Sequence, residues 1–173
     1  MSSAGGHSES QPAPAQTPES VLGHVEFTER ALAMARSARQ EVIICSHDLD
    51  RRIYGDQSLV DALRKFLLEH RRGRLRGIVG DPRAAMRGAH RMVELSRVLS
   101  SRIEFRQPIT ATASMAGDCI IVDQRSLLLR SDPGELEASY YADAPGLARE
   151  QLRDFEQLWQ HAEPAREFSD LRL

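Results

Sequence analysis

Lysine is almost missing from this chain: Lys65 is the only one, and the other basic residues among the 23 are arginine. With alanine so abundant, this looks like the codon bias of a GC-rich genome, so arginine content alone says little about phosphate binding. Cysteine is scarce too. Cys45 and Cys119 each sit inside an apolar run, without a CxxC spacing or a nearby His/Cys pair, which argues against a zinc site. Both are expected to be buried structural thiols, because a free cysteine behaves as a small hydrophobe. No apolar run approaches the roughly 18 residues of a membrane span. The N-terminus lacks the basic-then-apolar order of a signal peptide. A cytoplasmic chain with no membrane contact is the expectation. A net charge of -2 exerts no global pull toward nucleic acid. Ser-His-Asp hydrolysis has no GxSxG elbow to support it, and Gly77–Gly80 is not a dinucleotide fingerprint.

What is present suits one hydrophobic core. At 173 residues with 41% hydrophobic content, the chain can build a single domain. Residues 1–20, rich in Ser, Gly, Pro, Ala and Gln, read as a disordered tail or linker. Residues 21–164 read as the α/β domain and 165–173 as a C-terminal tail. Helical spacing predicts helices over 26–39, 58–70, 82–99 and 145–161. Short β-branched or alternating runs predict strands over 41–45, 75–80, 103–106, 112–123, 126–130 and 138–142. Helix and strand alternate early, then strands cluster, which implies a mixed β-sheet flanked by helices.

That order, together with Ala116-Gly-Asp-Cys-Ile-Ile-Val-Asp123 and Ser126-Leu-Leu-Leu-Arg-Ser131, resembles the phospholipase D-like superfamily. The family's signature is a His, a Lys two residues on, and an Asp five further, followed by a hairpin ending near a Gly/Ser. Carried over, Ala116 stands in the place of the nucleophilic His and Asp118 in that of the phosphate-binding Lys. Asp123 matches the signature Asp, and Ser131 the downstream Ser. The resemblance implies a phospholipase D-like single domain. It also implies the loss of the usual phosphodiesterase chemistry, since a methyl group cannot attack phosphorus and a carboxylate repels phosphate. The chain is also similar to a bacterial domain family with the same altered pattern. Some of its members lie C-terminal to GNAT-type acetyltransferases, which makes such a domain a candidate partner.

Ligands of open α/β sheets gather beyond the carboxyl ends of strands. Those ends offer Ser46, His47, Asp48 and Asp50, then Asp81. The alternative for this group is a solvated loop with a helix-capping Asp, and two carboxylates with one His are too few to specify a metal. Arg87 and His90 fall on a helix, and with Arg106 and Asp123 they compose a candidate site for a phosphorylated small molecule. His90 and Asp123 are its candidate catalytic residues, and Asp48, Asp81, Arg87, Arg106 and Ser131 its candidate ligand-binding ones. The cationic run His70-Arg71-Arg72-Gly73-Arg74 lacks interleaved aromatics, so nucleic acid is an unfavoured partner. The alternative is a helix C-terminus favoured by its dipole. The leading expectation is a non-catalytic interaction or ligand-sensing domain without a cofactor. Homodimerisation through the sheet edge or the Trp159 helix is a further expectation.

Overall fold

A computed structural model describes residues 17–110, 117–132 and 134–169. Among the described residues, eight strands form one mixed sheet in the order β1-β7-β6-β5-β2-β3-β4-β8. At its centre, β2 (Glu41–Ser46) pairs parallel with β3 (Arg74–Val79), and β3 pairs parallel with β4 (Ile103–Pro108). On the other side of β2 the pairing turns antiparallel. There β5 (Asp118–Val122), β6 (Ser126–Arg130) and β7 (Glu137–Tyr141) form a meander. Two short edge strands close the sheet, β1 (Glu19–Leu22) against β7 and β8 (Ala162–Pro164) against β4. The expected mixed α/β architecture is the one observed.

Helices cover both faces. α1 (Gly23–Ser37), α2 (Arg51–Tyr54), α3 (Gln57–Glu69), α4 (Pro82–Gly88) and α5 (His90–Val98) lie against one face. Phe27, Tyr54, Leu63 and Met92 bury there onto Val42, Ile44, Leu75 and Ile120. α6 (Pro145–Gln160) covers the other face through Phe155 and Trp159, stacked with centroids 5.3 Å apart over Ile43, Cys45, Ile78 and Cys119. Both faces of β2 and β5 are therefore buried, which is why those strands read as continuous apolar runs rather than alternations. Gly77 is where backbone and ring meet: a Cβ there would lie 2.3 Å from the Phe105 ring.

The structure differs from the sequence expectations in several places. The helix expected over 82–99 is two helices, divided at Ala89 (φ −103, ψ 40). Gly88 precedes the break, and glycine is the weakest ordinary helix former. Between β2 and α3 lies α2, which no expected helix covers, capped by Asp50 and burying Ile53 and Tyr54. The strand expected over 112–123 is described from Asp118 onward, and 112–116 lie outside the described residues. β1 begins at Glu19, inside the stretch read as tail. Past residue 164, α7 (Arg166–Ser169) places Phe168 in the core edge-on to Phe105.

Candidate functional site

The carboxyl ends of β2 and β3 lie beside the start of β5 and the end of β6. Register makes Asp118 the cross-strand partner of Arg130. Both point to the α1 face, two residues along from Ile120 and Leu128, and they are only 3% and 6% exposed. Arg130 Nε donates to Asp118 Oδ2 at 3.0 Å, and Arg130 Nη2 donates to the same oxygen. The guanidinium also lies over the Phe27 ring, 5.3 Å from its centroid. The carboxylate standing where the family resemblance places a lysine is thus neutralised within the hairpin. Gly117 takes φ +85 beside this pair, and a Cβ there would fall 1.8 Å from the Arg130 carbonyl oxygen.

Around the pair the groups are mostly acidic or already committed. Ser46 Oγ accepts from the Leu49 amide at 3.1 Å and holds Leu49 at φ 52. Burial pushes the Asp50 carboxyl up, but the Arg52 guanidinium and amide outweigh this and hold it below its ordinary value. Asp48 is raised, first by partial burial and then by the Asp50 charge. Tyr54 Oη is buried with no hydrogen-bond partner among the described residues, and burial and the Asp118 carboxylate push its phenol well above the usual value. On the opposite face the Cys45 and Cys119 side chains meet across β2 and β5, and burial raises the Cys45 thiol well above normal. Among the described residues, no cluster of three or more His, Cys, Asp or Glu could hold a metal.

The residues singled out from sequence do not form one site. Asp48 is exposed on the β2–α2 loop, while Asp81 accepts from the Ala84 amide at 3.0 Å as the cap of α4. Ser131 is exposed just past Arg130. These three share the end of the sheet that holds the ion pair. Arg87 and His90 are exposed on either side of the helix break at Ala89. Arg106 faces α6: it donates to Glu104 at 2.7 Å and to the Trp159 carbonyl at 3.0 Å, with its guanidinium 4.2 Å from the Trp159 ring centroid. Asp123 stands at the opposite end of β5, where its carboxylate accepts from the amides of Arg39, Gln40 and Glu41 at 2.8, 2.8 and 2.9 Å. A site joining His90, Arg106 and Asp123 is therefore absent, because strand direction and sheet face separate the three. Sequence reasoning missed Arg130 and Tyr54. The signal for Arg130 was a cation ending one apolar strand opposite an anion opening its hairpin partner.

The family described as Domain of unknown function (DUF7931) matches residues 23–171. The chain belongs to that family. Nuc from Salmonella typhimurium, a phospholipase D family member, superposes with a TM-score of 0.59 at 16% identity, covering 86% of this chain and 98% of Nuc. Phosphatidylserine synthase from Haemophilus influenzae gives a TM-score of 0.62 at 16% identity over 91% of this chain and 41% of the synthase. TrmBL2, an archaeal chromatin protein whose structure shows a mode of DNA binding, gives 0.61 at 14% identity over 89% of this chain. The chain spans 56% of TrmBL2, so it matches only part of that protein. No curated protein matches the sequence. At these identities the likenesses establish the fold alone, and the fold is phospholipase D-like. No helix among the described residues is long and apolar enough to cross a membrane.

Proposed function

We propose that this DUF7931 domain is a non-catalytic interaction or ligand-sensing module on a phospholipase D-like fold, accessory to an acetyltransferase encoded beside it or fused to it. The observation that carries the reading is the buried Asp118–Arg130 pair. Phosphoryl transfer needs a nucleophile and an unspent positive charge to meet the developing charge on phosphate. Arg130 is the cation buried at this end of the hairpin, and its charge is spent on Asp118. Asp48 and Asp81 at the same end of the sheet are acidic, and Asp50 is paired with Arg52. Alanine at position 116, read from sequence, supplies no nucleophile.

Steady-state assay of the purified chain on bis(p-nitrophenyl) phosphate is expected to show no turnover above the uncatalysed rate. Saturable turnover would overturn the reading. Co-expression with the acetyltransferase from the same locus is expected to yield a complex on size exclusion, and elution as separate species removes the accessory role. Homodimerisation is part of the same proposal, and a concentration-independent monomer in sedimentation velocity removes it.

A further inference from the structure

The opposite end of the sheet carries an open groove of about 670 Å³, set between the α1–β2 connection, the α3–β3 turn and the β5–β6 turn. Arg39, His70, Arg71, Arg72 and Arg74 line it. Three carboxylates reach the same groove, but each is engaged. Asp123 accepts three backbone amides, Glu41 bridges Arg74 and Arg76, and Glu69 faces Lys65 at 3.8 Å. Arg71 and Arg72 are exposed and have no hydrogen bond or ion pair among the described residues.

A helix C-terminus attracts cations through its own carbonyls, which would explain these arginines without any ligand. Here a different residue does that work. Arg102 reaches from behind and donates through Nη1 to the carbonyls of Leu67 at 3.1 Å and His70 at 3.0 Å, with Gly73 at 3.4 Å. The carbonyls of Leu67 and His70 at the end of α3 are thus engaged by Arg102 rather than by Arg71 or Arg72. The turn is held further by the Gly73 amide on the His70 carbonyl at 2.7 Å, so the two guanidinia are presented from a fixed backbone. Arg39 Nη1 contacts His70 Nε2 at 3.4 Å, which keeps Arg39 at the groove's near wall.

From this arrangement we infer that the groove is a binding site for a ligand carrying adjacent phosphate groups, held by Arg71 and Arg72 with Arg39 and Arg74 at its rim. Planar guanidinia match phosphate oxygens in paired hydrogen bonds, and a diphosphate places its oxygens widely enough to meet more than one of them. Among the described residues, no Phe, Tyr or Trp lines the groove to offer a stacking platform, so an extended single strand is poorly matched. The inference stands apart from the question of catalysis, since it concerns the far end of the sheet.

The test titrates the full chain with inorganic pyrophosphate at constant ionic strength, reading the melting temperature and the amide spectrum by NMR. A saturable rise in Tm is expected, because a ligand bound only by the native state raises it. Shifted amides are expected at Gly73 and Gln124. The double variant Arg71→Ala/Arg72→Ala is expected to weaken binding by about tenfold or more, as charge-assisted hydrogen bonds are lost. Arg149→Ala/Arg153→Ala, which removes the same charge from exposed positions on α6, is expected to leave binding intact. A nucleoside diphosphate and a vesicle of anionic phospholipid then identify which molecule carries the phosphates. The proposal is overturned by the absence of a saturable response or by equal weakening in the α6 variant. It is overturned as well by amide shifts at the Asp48–Asp81 end, or by duplex DNA binding without pyrophosphate binding.

Discussion

Arg130 and Asp118 face each other across the β5–β6 hairpin with almost no solvent between them and the core. Removing one partner of a buried pair strands the other charge, which costs about 3–5 kcal/mol. Arg130→Met and Asp118→Asn are each expected to lower unfolding free energy on that scale in urea. Replacing both at once is expected to cost much less than the two single losses added together. Additive losses would show that the two side chains do not act as a unit.

Asp123 holds the α1–β2 connection. Its carboxylate accepts three successive amides and its own φ is +53, so the residue fixes two turns at once. Asp123→Ala leaves those donors without their acceptor and is expected to cost about 1–3 kcal/mol in stability. Asp123→Asn, which keeps one oxygen acceptor, is expected to lose less. Equal stability for wild type and alanine variant would remove this role.

Asp48 supplies a pH signature. Its folded-state pKa is raised, so the native state binds a proton more readily than the unfolded chain does. Its ionisation therefore opposes folding. That penalty is complete above the folded value and vanishes below the ordinary carboxylate value of about 3.9. Asp48→Asn is expected to stabilise the protein at neutral pH and to give no gain at pH below that value, read from urea melts at both. The exposure of Asp48 keeps the effect small. A destabilised variant at neutral pH contradicts the assignment.

The thiols offer a check on the second core. Cys45 and Cys119 are each 1% exposed, and the Cys45 thiol is raised well above its normal range. Neither is expected to react with a thiol-specific disulfide reagent in the folded state at neutral pH, and both react in denaturant. Rapid labelling of the native protein contradicts the packing of α6 on the sheet.

The architecture was legible because its signals were local. Apolar runs bounded by polar turns marked β2, β3, β5 and β6, and the Asp81-Pro82 pair marked the start of α4. The candidate site was less so, because it depends on which end and which face of the sheet each residue reaches. Arg106 lies on β4, whose register carries it to the α6 face, and Asp123 follows β5 in a turn beside the amino end of β2. No periodicity states that destination. The short edge strands β1 and β8 escaped notice because three or four residues carry too little pattern, and α2 because four residues inside a polar loop look like a turn.

The proposed lack of phosphoryl transfer at the Asp118–Arg130 end of the sheet can be tested on the protein itself. The most direct measurement incubates the purified chain with a radiolabelled phosphodiester, quenches in base, and looks for protein-bound label that survives alkali and is lost in acid. No such label is expected. A stoichiometric, acid-labile phosphohistidine would contradict it.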